Sequence, residues 1–163
     1  MNDAHYHLLL NHMPILGALF GVLLLGSGFI TKSVSVLKAG MTTILVVSVL
    51  TMPAYFTGEA AEKVVEDLPG VRHDDIAAHE EAGELGLWVM AAAGSAALMG
   101  LLTTSSNHRR SARYKKPRTW AVITLLVSVA AFGIMAWAGV TGGLIRHSEL
   151  HENPPAAVNA VPK

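Results

Sequence analysis

The sequence predicts an all-α membrane protein: a four-helix transmembrane bundle with a short helical connection between its second and third helices. Three observations predict it. Hydrophobic residues make up 52% of the 163 positions and charged residues only 15%, with a mean hydropathy of +0.43, against roughly a quarter charged in soluble chains. Four stretches carry no Asp, Glu, Lys or Arg: Ala4–Thr31, Ala39–Gly58, Leu85–Asn107 and Thr119–Ile145. Each reaches the about 20 residues a helix needs to cross the hydrocarbon core, and the runs are continuously apolar rather than alternating as in barrel strands. Finally, Lys and Arg are segregated by connection.

The first span begins Met1-Asn2-Asp3, without the positive start of a signal peptide, and its apolar run is too long for one, so we expect it to be retained. Pro14 lacks the N–H that would bond to the Leu10 carbonyl, which predicts a kink beside His12. Gly17-Ala18, Gly21, Gly26 and Gly28 let a neighbouring helix approach closely. The second span reads as stopping at Thr57-Gly58-Glu59 and restarting as a short helix with Glu59, Glu62 and Glu66 on one face. Leu68-Pro69-Gly70 is a turn, and Asp74 or Asp75 caps a helix running through His79 into the third span. The third span holds the small run Ala91–Ala97, and Gly142-Gly143 lies one turn before His147 at the end of the fourth. Residues 1–152 form the transmembrane domain and 153–163 a loose Pro- and Ala-rich tail. No internal repeat is evident.

Orientation follows from the charges. Lys32 and Lys38 flank the first connection, and Arg109, Arg110, Arg113, Lys115, Lys116 and Arg118 fill the third. The second is mostly acidic. The positive-inside rule places connections one and three in the cytoplasm. In a bacterial inner membrane both termini and the acidic connection then face the periplasm. The chain carries twelve basic and twelve acidic residues, so net charge points to no nucleic-acid partner.

On that topology seven of the eight histidines fall on the outer side, and only His108 lies within. Counting about 1.5 Å per residue from the inner charges brings His12, His79 and His147 to one depth near the outer boundary. Ionisable groups there usually face the bundle interior and mark sites. His5, His7, His73 and His151, taken singly, read as solvated surface. The absence of Cys excludes iron–sulfur clusters, thiolate metal sites and covalent haem attachment. It leaves a haem b held between two imidazoles, so we expect a b-type electron-transfer protein or respiratory-complex subunit. Its axial ligands come from His12, His79 and His147, with Arg72 or Arg146 pairing a propionate. Quinol, a periplasmic electron carrier or a larger membrane complex would exchange electrons with it. The alternatives are a non-haem iron, copper or zinc site built from His7, His12, Glu59, Glu62, His79 and His147, or a cofactor-free accessory subunit docking a periplasmic partner. No His-Glu-x-x-His, Glu-x-x-His, Gly-x-Ser-x-Gly or phosphate loop occurs, which disfavours protease, di-iron, hydrolase and nucleotide-driven readings.

His12-Met13-Pro14 at the first helix, Thr57-Gly58 closing the second, His79 opening the third and Gly142-Gly143-Leu144-Ile145-Arg146-His147 ending the fourth form one pattern. It resembles a widespread group of small bacterial four-helix membrane proteins of unknown function, with a His-x-Pro start and a Gly-Gly-x-x-Arg-His end. The resemblance spans about residues 5–149. It implies an inner-membrane bundle with histidines gathered at one side in a haem or metal role, through His12, His79 and His147.

Overall fold

The computed structural model describes residues 2–105 and 115–151. Its helices are α1 (Asp3–Leu10), α2 (His12–Ile30), α3 (Val34–Val65), α4 (His73–Ser105) and α5 (Lys115–Arg146), followed by a 3-10 turn at Ser148–Leu150. No strand occurs among the described residues. Together α1 and α2 make the first span. It, α3, α4 and α5 are each long and apolar enough to cross a membrane, so the chain is a multi-pass, all-α four-helix membrane bundle.

The first span is divided at Asn11, three residues before Pro14. The Asn11 backbone stays right-handed (φ −65°, ψ −24°) and its N–H still bonds to the His7 carbonyl at 2.9 Å, so α1 and α2 follow one another without a loop. At the other end α2 closes sharply. Lys32 takes a left-handed φ of 56°, and the Ser33 N–H returns to the Gly28 carbonyl at 3.0 Å. Ser33 then caps α3.

One expectation is corrected here. The second span does not stop at Gly58, because α3 continues unbroken to Val65. The Thr57 hydroxyl donates back to the Pro53 and Ala54 carbonyls at 2.9 and 3.0 Å, and Lys63 pairs with Glu59 at 3.1 Å one turn on. Ala60 and Ala61 favour helix, which outweighs the roughly 1 kcal/mol penalty of one glycine. The turn around Leu68-Pro69-Gly70 is as expected, with Gly70 at φ 85°. Next α4 starts at His73 with Asp74 and Asp75 in its first turn, where carboxylates favour the helix dipole. Most of the basic connection, including His108, and the tail from residue 152 lie outside the described residues.

Within the bundle α2 packs antiparallel to α3, and α4 to α5. The contacts of α3 with α4 and of α5 with α2 close the square. Among the described residues no Cα of α1 or α2 comes within 8 Å of one in α4, so the first and third spans face each other across the diagonal. The interior is built from small and flexible side chains: Leu25, Met41, Ile44, Ala93, Ala97 and Ala121 in one cluster, and Ala18, Val47, Met90, Ala131 and Met135 in the next. Large apolar side chains such as Phe20, Leu23, Leu126 and Val140 point outward, as lipid contact requires.

Candidate functional site

At the end of the bundle that carries the chain termini, two imidazoles meet across the diagonal. His7 comes from α1 and His79 from α4. Their ring centres are 6.0 Å apart and their planes cross at 82°. Each ring is tied to a neighbouring helix by Nδ1. His7 donates to the Ala54 carbonyl at 3.0 Å, with the Thr57 hydroxyl at 3.2 Å. His79 donates to the Ala138 carbonyl at 2.8 Å. Fixing the proton on Nδ1 leaves the Nε2 lone pair of each ring free to accept or to ligate.

Both rings lie over glycines. A Cβ at Gly58 would stand 3.5 Å from His7 Cε1, and one at Gly142 would stand 2.9 Å from His79 Cε1. The two cradles share the pattern Ala-x-x-Thr-Gly, at Ala54–Gly58 and Ala138–Gly142. Even their hydroxyls match: Thr57 donates to the Ala54 carbonyl at 3.0 Å and Thr141 to that of Ala138 at 3.1 Å.

This likeness runs through the whole bundle and corrects the reading that the chain has no repeat. The buried residues of α2 are Pro14, Ala18, Gly21, Leu25 and Gly28. Moved 72 positions along, they become Gly86, Met90, Ala93, Ala97 and Gly100, all buried in α4. The buried Gly40, Ile44, Val47, Thr51 and Ala54 of α3, moved 84 positions, become Thr124, Ser128, Ala131, Met135 and Ala138, all buried in α5. His7 falls on His79 under the first shift, and Ala54, Thr57 and Gly58 fall on Ala138, Thr141 and Gly142 under the second. The burial pattern of the first hairpin thus recurs in the second, which runs in the same sense. The imidazole pair sits where the halves meet.

The remaining candidate residues are placed elsewhere. His12 is exposed and bonds through Nδ1 to the Leu8 carbonyl at 3.2 Å and to the side chain of its neighbour Asn11. His147 is exposed and donates to Glu149 at 2.8 Å, a bond that holds the Glu149 carboxyl below its ordinary range. Arg146 is exposed, and Glu59 is engaged with Lys63. Glu62 lies within hydrogen-bonding reach of Glu80. The expected trio of His12, His79 and His147 is therefore not gathered. Nor do the six expected metal ligands converge: among the described residues no group of three or more His, Asp or Glu is placed to hold a metal ion. His151, read as surface, is nearly buried, with Nε2 at 3.2 Å from Asp75 Oδ2.

His7 was legible by a signal other than depth. His7, Pro14, Gly21 and Gly28 recur every seven residues, as do His79, Gly86, Ala93 and Gly100, so each histidine continues the small-residue stripe that faces the interior. No family model, curated protein or solved structure matches the chain.

Proposed function

We propose that this is an integral membrane electron-transfer protein that holds a b-type haem between His7 and His79. The observation that supports the reading is the pair itself: two half-buried imidazoles from helices with no Cα within 8 Å of one another, each with Nδ1–H fixed on a backbone carbonyl. Metal-ligating histidines almost always carry such a second bond, which sets the tautomer and aims the other nitrogen. The ring centres stand 6.0 Å apart, and His7 and His79 would be the residues that hold the iron. Haem, when bound, supplies one-electron chemistry. The chain's residues fix the ligand proton through Ala54 and Ala138, and glycines at 58 and 142 seat the rings. A haem needs only two protein ligands, and two imidazoles are what converge here. A non-haem site would need the carboxylates of Glu59 and Glu62 to join them.

On the charge distribution, this end of the bundle faces the periplasm of a bacterial inner membrane, where a soluble carrier or a larger respiratory complex takes or delivers the electron. The visible spectrum of detergent-purified protein tests the proposal. We expect a Soret band that His7→Ala and His79→Ala each abolish and that His12→Ala, His147→Ala and His108→Ala leave in place. No Soret band and no iron by elemental analysis would overturn it. Iron, copper or zinc without the band would favour the non-haem centre. Metal-free protein would leave the rings as ties between helices in an accessory subunit.

A further inference from the structure

Between α3 and α4 a groove of about 500 Å³ opens sideways from the bundle. It exists because the two helices touch through small groups: a Cβ at Gly94 would meet Ser48 Oγ, and Ala91 and Ser95 continue the floor. Its α4 wall runs from Glu84 to Leu98, about 21 Å at 1.5 Å per residue. The lining is almost wholly apolar. The hydroxyls of Ser48 and Ser95 are spent on the carbonyls of Leu45 and Ala91 within their own helices. One end differs. There Tyr55 and Phe56 meet edge to face at 5.6 Å, Trp88 lines the facing wall, all three exposed, and Glu84 tops them.

Glu84 is the informative residue. It lies at the rim of the apolar stretch of α4 and has no ion pair or hydrogen bond among the described residues. Its carboxylate is exposed at the mouth of the groove and available to accept from a donor seated there. Glu80 and Glu81 lie one turn further out, so the rim is negative and repels the phosphate of a phospholipid head. The remaining requirement is a long apolar tail, a flat ring for the aromatic side chains and a neutral O–H donor for the carboxylate.

We propose that this groove binds an isoprenoid quinol, with its tail along α4 toward Leu98, its ring among Tyr55, Phe56 and Trp88, and a ring hydroxyl donating to Glu84. The binding stands on the groove alone. Only its role as an electron donor rests on the imidazole pair holding a haem.

Trp88 reports occupancy. In a Trp120→Phe, Trp137→Phe background, its emission is titrated in detergent with a decyl-tailed benzoquinol kept reduced. Saturable binding is expected. Ala91→Trp, which fills the floor, should abolish it, and Glu84→Gln should weaken it about tenfold, the worth of one charge-assisted hydrogen bond. A dodecylbenzene probe without hydroxyls should not sense Glu84→Gln. Helical circular dichroism confirms that each variant folds. Non-saturable partitioning overturns the proposal. So does indifference to Ala91→Trp or Glu84→Gln, and so does displacement by phosphatidylethanolamine, phosphatidylglycerol or a cationic amphiphile at equal mole fraction. The His79→Ala variant separates the two readings: quinol binding should survive there even when haem is lost.

Discussion

Gly58 and Gly142 occupy equivalent places, yet replacing each by alanine should give opposite results. At Gly142 the new methyl would stand 2.9 Å from Cε1 and 3.0 Å from Nδ1 of His79. The ring is held by its bond to Ala138 at 2.8 Å, so it must swing off that carbonyl to make room. Losing a hydrogen bond in a half-buried setting costs about 1–3 kcal/mol, against a helix-propensity gain of about 0.8–1.0 kcal/mol. The net is between neutral and about 2 kcal/mol destabilising. At Gly58 the methyl would rest at 3.5 Å from His7 Cε1, an ordinary contact. There the helix gain of about 0.8–1.0 kcal/mol stands unopposed. Reversible unfolding in mixed micelles, titrated with a denaturing detergent, should separate the variants by about 1–3 kcal/mol, the worth of that hydrogen bond. The Nδ1–H proton resonance of His79 should vanish only in Gly142→Ala. Equal stabilisation of both variants with that resonance intact would refute the cradle.

Three further outcomes follow from the same structure. Ser128 has a buried hydroxyl without a partner among the described residues, so Ser128→Ala should be neutral or stabilising by up to about 1 kcal/mol in the same unfolding assay. Asp75 Oδ2 and His151 Nε2 are both largely buried and 3.2 Å apart but outside hydrogen-bonding geometry, so Asp75→Ala should cost no more than about 1 kcal/mol, and adding His151→Ala should recover part of it. His147→Ala should raise the titration of the Glu149 carboxyl, read by carbon NMR. Because the His147 bond depresses that carboxyl, its small contribution is present above the ordinary carboxylate range and fades as pH falls through the lowered value.

The four spans were legible because lipid imposes a length and an absence of charge that need no tertiary knowledge. The end of α3 was not. Thr57-Gly58-Glu59 looks like a break in a linear reading, and what sustains the helix is a set of back-bonds from Thr57 and a pair one turn later. Depth along the helix brought forward His12, since an axial count says how far a residue lies from a charge but not which way it turns. Direction was encoded in the seven-residue recurrence of small side chains, which leads to His7 and His79 instead. The duplication escaped notice for a related reason. What repeats is burial and packing, at residues as different as Leu25 and Ala97, and the two hairpins are offset by different numbers of residues, 72 and 84. His7 and the Ala-x-x-Thr-Gly cradles become conspicuous only once hairpins are laid over one another.

The joint at Asn11 makes those hairpins mechanically unequal. His79 rides on a rod of 33 residues that runs unbroken to the far side of the bundle, while His7 is carried by a helix of 8 residues that ends at Asn11. The short helix is held mainly against α3, where His7 bonds to Ala54 and Thr57, whereas shifting His79 would require moving an entire span. Of the two imidazoles, one is therefore fixed by a whole span and the other by a short segment laid against its neighbour.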